Sequence, residues 1–234
     1  MVILPMEARG VRVVRQGRSI LGPLDLDVAG EGVTVVIGPN GSGKTTLLRA
    51  LHGLDRLRQG EVRFAVPNGE AQPRQAFVFQ SPVLLRRTAR ENIAYPLRLR
   101  GAADLPARVE AVAARLGLTS LLDQRAVSLS AGEQQKLALA RALVTEPELL
   151  FLDEPCASLD GAATRDIEEA LRQARDAGTR IVMSTHDMGQ ARRLASDVLF
   201  LNKGRIAATG ATPVFFDTPP TDEAAVFLRG DLLP

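Results

Sequence analysis

The chain has 234 residues, enough to bury the core of one large α/β domain, or of a domain carrying a subdomain. Hydrophobic residues make up 45 % and charged residues 24 %, an ordinary globular balance, and a net charge of +2 excludes a strong nucleic-acid field over the whole chain. The single cysteine, Cys156, excludes an internal disulfide and fits a reducing compartment. No run approaches the ~20 apolar residues of a bilayer span, and Met1 to Pro5 is too short, and lacks the basic start, for a signal peptide. A soluble protein is expected, with any membrane part supplied by separate chains.

Residues 6–36 read as β-rich. Gly10-Val11-Arg12-Val13-Val14 and Leu24-Asp25-Leu26-Asp27-Val28 flank turn-like segments at Gln16-Gly17 and Gly22-Pro23. The second run alternates with period two, as a half-exposed antiparallel strand does. Val33-Thr34-Val35-Val36-Ile37 is apolar and β-branched, a strand buried on both faces. Leu47 to Leu51 consists of strong helix formers and ends at Gly53. Glu61-Val62-Arg63-Phe64 alternates and joins the first sheet; Ala76-Phe77-Val78-Phe79 reads as a buried strand that delivers Gln80 to its end.

Residues 83–146 change character. Ala89 to Leu99 is a helical stretch. Asp104 is placed to cap a second helix, with Pro106 in its first turn and Leu105, Val109, Val112 and Leu116 on one face. A third helix runs from Ser130 to Val144. Beyond it, Leu149-Leu150-Phe151-Leu152 is again a buried strand. Asp160 caps a helix ending at Gly178, and Ile181-Val182-Met183-Ser184 is a strand followed by His186. Met188 to Ala195 is helical, and Val198–Leu201 and Arg205–Ala208 form a hairpin through Asn202-Lys203-Gly204. Thr221 caps a last short helix with Asp222 and Glu223 in its first turn and Gly230 at its end. There is no internal repeat and no low-complexity segment.

Three stretches carry chemistry. Gly38-Pro39-Asn40-Gly41-Ser42-Gly43-Lys44-Thr45-Thr46 fits the phosphate-loop pattern G-x-x-x-x-G-K-[ST] and stands between a strand and a helix. Its glycines permit positive φ, so successive N–H groups can turn inward as an anion nest at the positive end of a helix. Lys44 adds a point charge for the β- and γ-phosphates, and Thr45 offers a hydroxyl to Mg²⁺, which takes few protein ligands plus phosphate oxygens. Asp153 and Glu154 end an apolar strand. Asp153 would hold Mg²⁺ and Glu154 would polarise an attacking water, the parts that phosphoryl transfer needs. Ser130 and Glu133 form an S-x-x-E capping box, sufficient to start a helix; the same N-terminus, with Gly132 bare, can also serve as an anion site. The order of elements predicts an α/β fold. Its P-loop NTPase core has a mostly parallel sheet, an N-terminal antiparallel β subdomain and a helical subdomain at 83–146, all within one domain over 1–234 whose core is 1–82 and 147–234.

The ordered set of Gly-Pro-Asn-Gly-Ser-Gly-Lys-Thr, Gln80, Leu129-Ser130-Ala131-Gly132-Glu133, Leu152-Asp153-Glu154-Pro155, Ser158-Leu159-Asp160 and His186 resembles the nucleotide-binding subunit of an ATP-binding cassette (ABC) transporter over nearly the whole chain. The resemblance implies roles. ATP is held by the loop 38–46 and Lys44, and Thr45, Gln80 and Asp153 serve Mg²⁺. Glu154 is the catalytic carboxylate, with His186 on the γ-phosphate and Lys44 and Gln80 also in the catalytic set. Ser130 and Gly132 contact the γ-phosphate of ATP bound to a second copy of the chain, and Asp160 crosses that dimer interface. Two transmembrane permease subunits, a solute-binding protein in the case of import, and a cytoplasmic position on the inner face of the membrane are implied as well, and no nucleic acid. Two departures stand out. The family stacks an aromatic on adenine where this chain has Arg15, and arginine can still stack on a π face, so weaker base selectivity is implied. The signature has Ala131 and Glu133 where Gly and Gln are commonest, and keeps Gly132.

The segment Gln80 to Thr88 lies where the family docks its membrane partner; Arg86 and Arg87 there read equally as a solvated basic face. That segment, with Leu51-His52-Gly53-Leu54 and Phe215-Phe216 to Leu233, is loosely similar to ATPases of tungstate- or molybdate-type oxyanion importers. Other readings remain at this point: a cassette ATPase acting on DNA or ribosomes, an ATP-gated regulatory module, and a small-molecule kinase, which leaves the Ser130 helix start and Ser158-Leu159-Asp160 unexplained. Cys156 reads as a small buried filler rather than a reactive thiol.

Overall fold

The computed structural model describes residues 2–231; Met1 and Leu233 lie outside them. Two sheets form. In the first, β1 (Met6–Arg15) pairs antiparallel with β2 (Arg18–Val28) on one side. The strand formed by Gln59–Phe64, β4, pairs with it on the other. The second is assembled from β3 (Val33–Ile37), β5 (Gln75–Val78), β6 (Leu149–Asp153), β7 (Arg180–Ser184), β8 (Asp197–Asn202) and β9 (Arg205–Ala211), in the order β5-β6-β7-β3-β8-β9. All its neighbours are parallel except the hairpin β8–β9. The mostly parallel α/β architecture and the N-terminal antiparallel sheet are as expected from the sequence.

Helices connect these strands: α1 (Lys44–His52), α2 (Asn68–Ala71), α3 (Ala89–Leu99), α4 (Leu105–Arg115), α5 (Ala131–Leu143), α6 (Gly161–Asp176), α7 (Met188–Leu194), α8 (Thr212–Asp217) and α9 (Asp222–Leu228). Several start where a short polar side chain accepts a backbone N–H that the first turn leaves free. Thr88 and Ser130 do so in capping boxes with Glu91 and Glu133. Asp160, Asp187 and Thr221 do so alone.

Period-two alternation in the central strands divides the apolar residues between two faces. Val33, Val35, Ile37, Leu150, Leu152, Ile181, Met183 and Phe200 enter one core, together with Ile93 of α3, Val109 of α4, Leu137 of α5 and Ile167 of α6. Val36, Leu149, Phe151, Val182, Leu199 and Leu201 enter the other, with Leu47 and Leu51 of α1 and Val11, Val13 and Leu21 of the first sheet. The main sheet is thus wedged between two apolar layers, and strands buried on both faces read as unbroken hydrophobic runs.

Three local expectations are corrected. Gly22-Pro23 is not a turn: β2 runs through it, and the irregular register against β1 absorbs it, Gly22 having φ 77°. A Cβ there would stand 1.9 Å from the Val11 carbonyl oxygen, so close strand approach, not a turn, requires the glycine. Asp104 occupies the N-cap of α4 but in a left-handed conformation, φ 54°, and accepts no cap bond. The strand leading to Gln80 stops at Val78; Phe79 lies beyond it, and its carbonyl accepts from Gln135 of α5 at 3.3 Å.

Phe151 is fully buried and packs on Phe77 and His52. Phe151→Ala is expected to lower the unfolding free energy by about 3–5 kcal/mol, read from the urea midpoint. Val214→Ala on the surface is expected to shift it by less than about 0.5 kcal/mol. Equal shifts would contradict this description of the core.

Candidate functional site

The loop between β3 and α1 curls because three of its residues take positive φ: Gly38 (150°), Gly41 (77°) and Gly43 (106°). At Gly38 a Cβ would sit 2.1 Å from the Leu201 carbonyl oxygen, so nothing larger fits without moving β8. The loop is tied internally by Ser42 N–H to the Pro39 carbonyl (3.1 Å) and to the β8–β9 turn by Gly204 N–H to the Ser42 carbonyl (2.9 Å). Ser42 Oγ is buried inside the loop with no protein partner. Gly43 is the N-cap of α1, so the loop's curl leads into the positive end of that helix.

Lys44 is buried and held over the loop, its Nζ donating to the Gly38 and Pro39 carbonyls at 2.9 and 3.3 Å. Burial pushes its ammonium below the usual lysine pKa, while the charges of Glu154 and Asp153 pull it back up. Glu154 Oε1 is 3.9 Å from Nζ.

The carboxylates come from the end of β6. Asp153 accepts from Thr45 Oγ1 (3.1 Å) and from Ser184 Oγ (2.7 Å). The Ser184 hydroxyl also accepts the Glu154 N–H at 3.0 Å. Glu154 itself has a left-handed backbone, φ 44°, a conformation that costs a non-glycine residue about 1–3 kcal/mol and is kept where neighbours hold it. The result aims the carboxylate at His186, whose Nδ1 is 3.0 Å from Glu154 Oε2. One strand end therefore supplies an oxygen beside Thr45 and an oxygen beside a histidine.

These groups line a cleft of about 530 Å³ bounded by Ile20, Asn40, Gly41, Gly43, Lys44, Thr45, Thr46, Gln80, Glu154 and His186. The structure thus brings the loop residues, Gln80, Glu154 and His186 together, with Asp153 behind Thr45. It does not bring Ser130, Gly132, Asp160 or Arg15 to this cleft. Ser130 is exposed and engaged with Glu133. A Cβ on Gly132 would meet Ala163 of α6 at 3.1 Å, and Asp160 caps that helix at 2.8 Å. Arg15 is ion-paired to Asp55, which also binds Arg49.

Sequence reasoning missed Ile20 and Ser184. Ile20 is the apolar member of the cleft and comes from β2. Ser184 carried a signal: it is a polar residue at the end of an otherwise apolar strand, and it is fully buried. Buried hydroxyls need partners, and this one bridges both carboxylate-bearing residues.

Among the described residues no group of three or more His, Cys, Asp or Glu could hold a metal. Thr45 Oγ1 beside Asp153 Oδ1 is instead the sparse, hard-oxygen donor set that suits Mg²⁺ completed by phosphate oxygens.

Cys156 follows this turn and is half-buried; burial raises its thiol pKa to about 11. At about pH 8 only about one thiol in a thousand is then ionised. The folded protein is expected to resist iodoacetamide under conditions where the urea-unfolded chain is alkylated. Equal labelling of the two would contradict this.

Comparison with known proteins gives this cleft a family. A model described as ABC transporter matches residues 21–157. The tungstate uptake system ATP-binding protein TupC of Peptoclostridium acidaminophilum is 40 % identical over 194 residues, covering 81 % of this chain and 91 % of that protein. The Fe(3+) ions import ATP-binding protein FbpC of Streptomyces avermitilis is 38 % identical over 239 residues, covering 98 % of this chain and 68 % of that one. A solved ATP binding subunit of an ABC transporter superposes with a TM-score of 0.83 over 97 % of this chain and 100 % of its own, at 23 % identity, a likeness of fold. With the family match spanning more than half of the chain and a phosphate loop, Glu154 and His186 converging on one cleft, the chain belongs to the ABC transporter family, as an ATP-hydrolysing domain.

Proposed function

We propose that this chain powers an importer of a small solute, an oxyanion of the tungstate type. It works as a homodimer on the cytoplasmic face of the membrane, beneath two transmembrane permease subunits, with a solute-binding protein delivering the cargo. The likeness to the tungstate uptake protein, across most of both chains, supports the cargo class. Among the described residues no helix is long and apolar enough to cross a membrane, consistent with partners doing so. Residues 1–234 act as one domain, 83–146 being its helical subdomain.

The observation that carries the hydrolytic reading is the contact of His186 with Glu154, 3.0 Å apart, on a cleft whose floor is the phosphate loop. In that reading the backbone of 38–46 and Lys44 hold the phosphates of ATP. Glu154 accepts the proton of the attacking water, and His186 fixes the carboxylate and donates towards the γ-phosphate. Thr45, Asp153 and Gln80 hold Mg²⁺, which when bound offsets charge on the β- and γ-phosphates. Ser130 and Gly132 serve the nucleotide of the second copy, and Asp160 lies across the interface. Arg15, tied to Asp55, leaves Ile20 as the apolar surface nearest the loop, and base selectivity is correspondingly loose.

Glu154→Gln is expected to lower ATP turnover at least about a hundredfold. ATP binding should persist, and ATP should trap a dimer visible by light scattering; normal turnover would remove Glu154 from the mechanism. Lys44→Ala is expected to weaken ATP binding roughly 10- to 100-fold, the loss of a hydrogen bond to a charged group. Unchanged affinity in an equilibrium titration would contradict the loop assignment.

A further inference from the structure

A buried carboxylate persists only where donors replace the water it has lost. Glu168, in the middle of α6, is such a group: its side chain is 4 % exposed, and it does not line the nucleotide cleft. Three side chains converge on it. Arg193 of α7 grips it with a two-pronged fork, Nε at 3.0 Å and Nη2 at 2.7 Å. Arg172, one turn further along α6, donates at 3.1 Å, and the buried Gln190 of α7 donates at 3.4 Å. Cys156 lies beside this cluster, close enough for Gln190 and for the charges of Glu168 and Arg193 to act on its thiol.

The members of this cluster stand on three segments, two of which leave the hydrolytic pair, one directly after His186 and one directly after Glu154. Glu168 is on the helix that Asp160 caps, ~12 Å along its axis. Gln190 and Arg193 are on the helix capped by Asp187, the residue after His186. Cys156 is on the turn leaving Glu154. Gly189 makes room for the fork: a Cβ there would meet Arg193 Nη1 and Asp187 Oδ1, both at 3.1 Å. An exposed ion pair would contribute little. With its acceptor buried, this one penalises any movement of α7 away from α6, because separation strips the carboxylate of the Arg193 fork and Gln190 and leaves it only Arg172 of its named donors.

We propose that Glu168 is a positioning residue for ATP hydrolysis: clamped by Arg193 and Gln190, its carboxylate holds α7 against α6, so that His186 stays in contact with Glu154. This rests on the reading of Glu154 and His186 as the hydrolytic pair.

Two variants of the full chain test it. Glu168→Gln keeps the side chain's shape and removes its charge. Arg193→Gln breaks the same link from its half-exposed side and does not depend on the buried residue tolerating change. Both are expected to lower kcat about tenfold while KM for ATP stays within about twofold, since neither residue lines the cleft. The imidazole nitrogen NMR signals of His186 should shift, while those of His52, the only other histidine, packed against Phe77 and Phe151, stay in place.

A lowered melting temperature with kcat and the His186 signals intact would reduce the cluster to a structural brace and overturn the proposal. Unmoved His186 signals alongside a lowered kcat would overturn it too. Shifted signals with normal kcat would also overturn it. In that case His186→Ala assigns the fault: normal turnover there would show that the reading of His186, not the clamp, had failed.

Discussion

Backbone N–H groups can converge on an anion only if the chain curls tightly enough to aim them inward, and that curl needs φ values closed to most side chains. Gly38, Gly41 and Gly43 provide it. The rest of the molecule holds that curl still. β3 delivers the loop from the middle of a parallel sheet, between β7 and β8. The Leu201 carbonyl presses on Gly38, and the Gly204 amide is bonded to the Ser42 carbonyl. Lys44 is folded over the loop's own carbonyls. A rigid nest costs no reorganisation when charge arrives, which is what electrostatic stabilisation of phosphoryl transfer requires.

The two cores explain why neighbouring strands can be trusted to deliver chemistry to the same edge. Each central strand is fixed from above and below, so its carboxyl end cannot drift. β6 ends in Asp153 with Glu154 directly after it, β7 ends in Ser184 shortly before His186, and the chain leaving β5 reaches Gln80. Parallel strands point these ends to one side of the sheet, where open α/β folds place their ligands. Glu154 bears the local cost as a left-handed backbone, and Ser184 stabilises it with one hydroxyl serving both carboxylate residues. Strain at a residue held by its neighbours marks a place where geometry matters more than local stability.

Much of this was readable from the sequence because the signals are local. Loop 38–46 carries its own glycines, lysine and threonine. Thr221, Asp160 and Ser130 cap helices through bonds spanning three residues, so the pattern alone locates the helix starts. The buried strands announce themselves as unbroken apolar runs. What failed depended on distant partners. Gly22-Pro23 looks like a turn in isolation, but pairing with β1 carries the strand straight through it. Asp104 has the right chemistry for a cap and the wrong backbone conformation. Ile20, Ser184 and Glu168 acquire meaning only from residues that the fold brings beside them, Glu168 from an arginine 25 positions away.

The central claim is that ATP hydrolysis in this cleft is spent on moving a solute across a membrane. The most direct test is to recover the tagged chain from native membranes and identify by mass spectrometry what accompanies it. The account predicts a multi-span permease, and with it a solute-binding protein whose affinity for tungstate-type oxyanions can then be measured. Recovery of the chain alone, or together with ribosomes or DNA, would contradict the transport role while leaving the ATPase chemistry in place.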